Sequence, residues 1–500
     1  MRILLLTQVV PYPPDSGPKV KTYHVLRYLA ERGHRVTLVS YTRDGEEKSL
    51  ASLQPFCAAI HPVPLQRSRM HDLFAYAQSL GTGLPFLVTR DAIPKMKSVV
   101  TQLAQSEHFD IVHADQLTMG QYALDVRNWK LEVGGGSLLV TRHLGGERTP
   151  RVVFDAHNAV YKIMERLTET APLPLRPFLA REARLVKQYE GMLVRTFDYT
   201  FAVSEQDKQA LLEAAAPEGT DGSSMSQPRG TAGSAESADE PTLAPHAHLP
   251  WRAVPGSAGV SQVAQRAVAE PFLGQSAICN LQSKITIVPI AVDTDQLTRI
   301  HPIASRDPAG LAGQSPNILT LGTLYYPPNA DGVRWFAREV YPLVLEQVPA
   351  ATLTIVGPRP PKDIVALATQ PALSLSKGHS PLVTVPGYVP DLVPYLERAA
   401  LMVVPVRAGS GMRVRILEAF ARGVPVVTTT TGVEGIEAVD GEHLLVADEP
   451  GAFAEAVVRL LRDPELGRRL AANGRRLAEE KYDWRVALPK LERVYEAVAG

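Results

Sequence analysis

Gly409, Ser410 and Gly411 stand between an apolar run ending at Pro405 and a helix-forming stretch, Met412 to Arg422. Glycines let the chain turn there. The helix that follows aims its free backbone N–H groups and its positive end at residues 409–413. Arg413 and Arg415 flank that end, so an anion such as a diphosphate fits it. Glu418 lies roughly 7–10 Å further along the axis at the helical rise, about the offset between a diphosphate and the ribose of its nucleotide. A carboxylate there can accept hydrogen bonds from two sugar hydroxyls. Its competing role is an i,i+3 pair with Arg415 on a solvated face.

These residues need a frame, and the chain supplies strand–helix alternation. Arg2–Val9 reads as a buried parallel strand, Val20–Arg32 as a helix closed by Gly33, and His34–Ser40 as the next strand. Further strands are expected at 111–114, 151–156 and 199–203. A second series follows at 318–321, 352–356, 383–385, 401–405, 424–428 and 444–446. Alternation of this length predicts two α/β domains with parallel sheets covered on both faces. Residues 1–213 form the first, with a surface insertion at about 128–149, and 284–480 form the second. Residues 214–275, rich in Ser, Ala, Gly and Pro, read as a low-complexity, disordered insertion. Residues 370–380 read as a loop insertion, and 481–500 as a terminal helix.

Composition narrows the function classes. The 500 residues carry 52 basic and 52 acidic side chains, so net charge gives no reason to expect a nucleic-acid partner. Two cysteines, Cys57 and Cys279, make neither a disulfide framework nor a metal cluster. No apolar run reaches membrane-spanning length, and MRILLLTQVV reads as a first strand, not a signal peptide. A cytoplasmic chain is expected, at most peripheral to the inner face of a membrane. Arg67, Arg69, Arg90, Lys95 and Lys97 surround Phe74, Tyr76 and Phe86, which suggests either a patch for an anionic membrane or ordinary solvated charge.

Ligands gather beyond the carboxyl ends of parallel strands. Several residues fall there. Gly17 and Lys19 occupy the first strand–helix turn, where the glycine permits close backbone approach or simply makes a turn. His113 and Asp115 end one strand and could line the acceptor side or cap a loop. His157 follows another, with Asp155 and Asn158 beside it. Gly387, Tyr388 and Val389 could wall a nucleobase, and Thr431, Gly432 and Glu434 follow the strand after Gly423. A dinucleotide-binding oxidoreductase is disfavoured, because Gly17 stands outside any G-x-G-x-x-G run.

PPDSGPKVKTYHVLRYLAERGHRVTLVS, FDIVHADQL, VVFDAHNAVYK, FAVSEQDKQAL, IVPIAVDTDQL, LGTLYYPPNADGVRWF, LTIVGPRP, VPGYVPDLVPYLERAALMVVPV, GSGMRVRILEAFARGVPVVTTTTGVEGI and the terminal YDW occur in that order. In these motifs the chain resembles the GT-B glycosyltransferases of the large retaining family 4, also called group 1, and within it the bacterial enzymes that make exopolysaccharide or other surface glycans. The resemblance implies two Rossmann-like domains facing across a cleft, with a C-terminal helix crossing back to the first. The nucleotide-diphosphate sugar would be held mainly by the second domain, and a glycan or lipid-linked acceptor mainly by the first, without metal or other cofactor. Glu418 would hold the donor ribose and His157 would lie near the transferred sugar. Arg413 would stabilise the leaving diphosphate. Two departures stand out. The family pairs this glutamate with another eight positions earlier, where Ser410 stands; a serine can donate one hydrogen bond but carries no charge. Many relatives have an Arg and a Lys soon after the second domain's first strand, but GTLYYPPNADGVRW has no cation before Arg334, so Arg413, Arg415 or Arg359 would carry the neutralisation. A non-catalytic GT-B module and a sugar-nucleotide epimerase are the competing functions.

Overall fold

A computed structural model describes residues 1–132, 149–216, 281–297, 299, 315–369, 383–409 and 411–500. The proposed insertion beyond Ala216, the greater part of 128–149, the loop at 370–380, Cys279 and Ser410 lie outside the described residues.

The first sheet orders its strands β3-β2-β1-β4-β5-β6-β7, and the second β10-β9-β8-β11-β12-β13. Every pairing in both is parallel. In the first, β1 is Arg2–Thr7, β2 Arg35–Thr42, β3 Ala59–Pro64, β4 Ile111–Asp115, β5 Arg151–Ala156, β6 Tyr199–Ala202 and β7 Ile285–Ile287. In the second, β8 is Asn317–Leu321, β9 Thr352–Val356, β10 Val383–Gly387, β11 Ala399–Val404, β12 Val426–Thr428 and β13 Leu445–Val446. Strands such as β1 and β11 are buried along nearly their whole length, because helices cover both faces.

Strand order reverses between β1 and β4 in one sheet and between β8 and β11 in the other. Crevices for ligands open at such switch points. The turn after β1 leads into the helix Gly17–Glu31; the turn after β11 leads into the helix Val414–Arg422.

The domain junction differs from the sequence expectation. Residues 285–287 pair with β6 and belong to the first sheet, not to a second domain starting at 284. The chain then crosses over at 288–294 and returns at 482–484. The two crossings are joined by Val292 N–H to Tyr482 O (2.8 Å) and Trp484 N–H to Val292 O (3.1 Å). The terminal segment is two helices, Trp484–Ala487 and Pro489–Ala499, because Pro489 starts a new one. It crosses back as expected. Trp484, Leu488, Leu491 and Tyr495 are buried in one apolar cluster with Ile3, Leu5 and Leu26. Glu492 accepts hydrogen bonds from Tyr28 Oη (2.7 Å) and Arg32 Nε (3.0 Å), so the last helix completes the first domain.

Candidate active site

The helix Val414–Arg422 is the site's central element. Its core face is Ile416, Leu417, Ala419, Phe420 and Ala421, and Gly423 ends it at φ 69°, the left-handed conformation that glycine adopts freely. It begins two residues later than the expected Met412. Gly409 (φ 116°) and Gly411 (φ 86°) hold the preceding turn away from helical geometry, and Arg413 becomes the residue before the first helical one.

This turn is pressed against the first domain. A Cβ on Gly411 would lie 1.8 Å from Asn158 Oδ1, so a side chain there would collide with the segment that follows β5. A Cβ on Gly17 would meet Val414 Cγ2 at 3.5 Å. The first turn of one domain therefore abuts the helix start of the other. Arg166, on the helix Val160–Thr170, spans the cleft. Its guanidinium pairs bidentately with Glu434 (2.8 and 2.9 Å) and also donates to the Gly409 carbonyl. Beside this clasp, Lys162, Ser204, Asp207, Gly411 and Gly435 line a cavity of about 70 Å³.

Arg413 Nη1 donates to Gly411 O at 3.0 Å, which folds its guanidinium over the turn. Burial pulls its pKa down, while Tyr326 and Glu434 oppose the shift. Arg415 reaches the β8 end of the switch point instead, donating to Leu321 O (2.5 Å) and Asn329 Oδ1 (2.8 Å). It forms no ion pair with Glu418, so the anticipated surface pair is absent from the described residues. Burial, with the Arg413 charge beside it, lowers the Arg415 pKa to about 10 against the opposing pull of Glu418. Glu418 is half-buried, and its carboxylate has no hydrogen-bond or ion-pair partner among the described residues. Burial raises its pKa against the pull of Arg422 and Arg415.

The other donor-side candidates have varied settings. Gly387 (φ 78°) accepts from Gly357 N–H at 2.9 Å at the ends of β9 and β10. Tyr388 is exposed, while Val389 packs on the apolar cluster that includes Leu417. Thr431 is half-buried. The Gly432 amide is already engaged by Thr429 Oγ1 (2.9 Å), and a Cβ there would lie 2.0 Å from Thr428 Oγ1, so this glycine serves close packing. Lys19 pairs with Asp15 at 3.1 Å. Arg359 stacks on Tyr325, 3.7 Å from the ring centroid.

On the first domain, β4 and β5 bring His113, Asp115, Asp155 and His157 together in a buried group. His157 Nε2 lies 2.8 Å from Asp115 Oδ1, and His113 Nε2 lies 3.4 Å from Asp155 Oδ2. His113 Nδ1 meets Tyr495 Oη of the last helix at 2.5 Å. His113 and Asp115 are thus buried instead of lining an open surface. Lys21, fully buried on the helix Gly17–Glu31, places its ammonium on Asp155, and Thr22 donates to Asp115 (3.1 Å). His113, Asp115 and Asp155 offer ligand atoms within 4.8 Å of one another, a spacing that suits a metal, but the Lys21 ammonium already serves as the cation beside Asp155. Sequence reasoning missed Lys21 and Arg166. A lysine on the buried side of an apolar helix was the one available signal for the first.

Two family models match the chain: "Glycosyltransferase Family 4" over residues 16–219 and "Glycosyl transferases group 1" over residues 315–463. An uncharacterized 44.6 kDa protein in the cps region of Klebsiella pneumoniae is 27% identical over 168 residues, 33% of this chain and 42% of that protein. The phosphatidyl-myo-inositol mannosyltransferase of Mycobacterium tuberculosis is 28% identical over 252 residues, 47% of this chain and 62% of that protein. The chain therefore matches less than two thirds of the length of either. Among solved structures, Anabaena HepE in complex with UDP and glucose superposes with a TM-score of 0.59 at 13% identity, covering 99% of this chain and 100% of that one. Sucrose-phosphate synthase from Thermosynechococcus elongatus gives 0.61 at 16%, covering 100% and 99%. These likenesses establish the fold, two parallel α/β domains in the GT-B arrangement. With both halves matched by the models of one family, the chain belongs to the group 1, family 4 glycosyltransferases.

Proposed function

We propose that this chain transfers a hexose-type sugar from a nucleotide-diphosphate sugar to a glycan or lipid-linked acceptor at the cytoplasmic side of a membrane. In this reading transfer proceeds with retention and without metal, in cell-surface or exopolysaccharide synthesis. One observation carries it. The Gly409–Arg413 turn, the start of the helix Val414–Arg422 and the first-domain residues Gly17 and Asn158 converge on one cleft, and the same helix carries Glu418, whose carboxylate makes no hydrogen bond or ion pair among the described residues.

The chemistry follows from that placement. The helix end, Arg413 and Arg415 supply preorganised positive charge for a departing diphosphate, the role a metal would otherwise fill. Glu418 accepts hydrogen bonds from the ribose. His157, whose two ring nitrogens are buried and make no hydrogen bond among the described residues although Asp115 Oδ1 lies 2.8 Å from Nε2, would meet a hydroxyl of the transferred sugar in this reading. The first domain receives the acceptor, which attacks on the leaving group's side while donor phosphate takes its proton. Double displacement, which needs a carboxylate nucleophile at the anomeric carbon, is not part of this reading.

UDP-, GDP- and ADP-sugars, offered with and without glycan acceptors, test this reading. HepE, described with UDP and glucose, puts UDP-sugars first in the panel. The expected product keeps the donor's anomeric configuration by NMR, and its formation survives EDTA. An inverted product contradicts retention. An altered sugar nucleotide formed without acceptor makes the chain an epimerase, and binding without turnover makes it a non-catalytic module.

A further inference from the structure

Arg166 is the polar link between the domains. Among the described residues, no other side chain joins residues 1–287 to residues 317–480 by a hydrogen bond or an ion pair. Two oxygens of Glu434 take its guanidinium at 2.8 and 2.9 Å, and the Gly409 carbonyl takes a further bond. Nearby approaches are bare contacts at glycines. A Cβ on Gly435 would lie 3.3 Å from Ser204 Cβ, just as one on Gly411 would collide with Asn158. Lys162, Asp207 and Glu434 line the cavity of about 70 Å³ beside the clasp, so apolar packing does not fill the seam at this point.

Both ends of the pair are anchored. Arg166 stands on the helix Val160–Thr170. Buried Glu190 holds the start of that helix, accepting from Val160 N–H (2.7 Å) and Tyr161 N–H (3.1 Å), and Asp207 accepts from Ala159 N–H (2.9 Å). Glu434 follows the short helix Thr430–Val433. There Thr429 Oγ1 accepts from Gly432 N–H (2.9 Å), and Asp448 accepts from Thr430 N–H (2.9 Å). The pair therefore closes at one separation of the two domains. A bidentate, half-buried pair between fixed elements is stronger than a loose surface contact.

The bond to Gly409 ties this clasp to the donor turn. Gly409 at φ 116° and Gly411 at φ 86° adopt conformations open to glycine, and glycines carry more backbone freedom than other residues. With the Gly409 carbonyl held by Arg166, the turn gives up that freedom while the cleft is closed.

We propose that Arg166 is a positioning residue: its clasp on Glu434 and Gly409 closes the cleft and in the same step fixes the glycine turn that receives the diphosphate. The donor enters with the clasp open, binds to the second domain, and is fixed against first-domain groups when Arg166 engages. Arg166 touches no reacting atom in this account. Its part in transfer rests on the transferase reading, although the clasp itself does not.

Hydrogen exchange on the full chain without nucleotide tests the clasp, and kinetics with the donor identified by the sugar-nucleotide panel tests its purpose. In Arg166→Gln and in Glu434→Gln, peptides carrying Gly409 and Glu434 are expected to exchange at least about threefold faster. The melting temperature stays at the wild-type value, because neither side chain is fully buried. In both variants kcat is expected to fall about tenfold or more while donor affinity changes less than about threefold, since the donor's contacts lie on the second domain. The charge swap Arg166→Glu/Glu434→Arg is expected to recover part of the lost protection, which neither Arg166→Glu nor Glu434→Arg does alone. Wild-type exchange in both glutamine variants overturns the proposal, and so does an unchanged kcat. A lowered melting temperature with no recovery in the swap also overturns it, because Arg166 would then be a structural residue. A wild-type chain that turns over no sugar nucleotide, beside variants that exchange faster, would fault the transferase reading alone.

Discussion

Glu418→Ala is expected to weaken nucleotide-sugar binding by roughly 100- to 10,000-fold without destabilising the fold. The affinity estimate takes two hydrogen bonds to a charged acceptor at ~1.5–3 kcal/mol each, or about 3–6 kcal/mol in all. The stability expectation comes from the unliganded site. Burial raises the Glu418 pKa, and the carboxylate has no hydrogen-bond partner there among the described residues. Removing it relieves a desolvation cost and breaks no hydrogen bond among the described residues, while Arg415 and Arg422 lose the favourable field of its carboxylate, so the melting temperature is expected to stay level. The pH dependence has a definite sign. A raised pKa means that the ionised form, the better acceptor, is lost at a higher pH than for a free glutamate, ~4.3. Donor affinity therefore falls as pH drops through that raised value. Calorimetric titration beside thermal melts checks both halves. Unchanged affinity with a lower melting temperature would make Glu418 a structural residue.

Lys21→Met is expected to cost about 3–5 kcal/mol of stability, the effect of removing one partner of a buried ion pair. Lys21 and Asp155 are both fully buried, and the substitution strands a carboxylate among His113, His157 and Asp115. Burial alone would raise the Asp155 pKa. The Lys21 charge, aided by His113 and His157, outweighs it and holds the carboxyl well below its usual range. A depressed folded pKa contributes stability that is present above the unfolded value, ~3.9, and lost as pH falls through the folded one. Wild type keeps this contribution at pH 7 and pH 5. In Lys21→Met, Asp155 titrates upward, so the gap between variant and wild type narrows as pH falls. Urea melts at both pH values read this directly. Lys21→Met/Asp155→Asn should recover much of the loss, because the two sites are coupled. A loss below about 1 kcal/mol for Lys21→Met would contradict the buried-pair account.

The frame was legible where local pattern decides structure. Arg151–Ala156 and Thr352–Val356 are strands with the bounds read from the sequence, because short apolar runs there are flanked by loop residues. Gly423 stops its helix as expected. The edge strand Ala59–Pro64 was missed. It is mostly unburied and holds two prolines, so it lacks the apolar run of a central strand. The strand Ile285–Ile287 was assigned to the wrong domain, since three residues carry no signal of which sheet they join.

The candidate site divides in the same way. Gly409, Gly411, Arg413, Arg415 and Glu418 form one local motif, and their spacing implies their chemistry. Lys21 with Asp155, and Arg166 with Glu434, are pairs separated by 134 and 268 residues, and only the folded sheets bring them together. Arg415 was placed correctly on its helix, but its hydrogen bonds to Leu321 and Asn329 depend on β8, 86 to 94 residues away.

A crystal structure of the full chain with a nucleotide-diphosphate sugar tests the central claim most directly. The expected density places the diphosphate against Arg413 and the first amides of the helix Val414–Arg422, with the ribose hydroxyls on Glu418. A nucleotide bound elsewhere, with the turn at Gly409–Arg413 and the Glu418 carboxylate untouched, would contradict it.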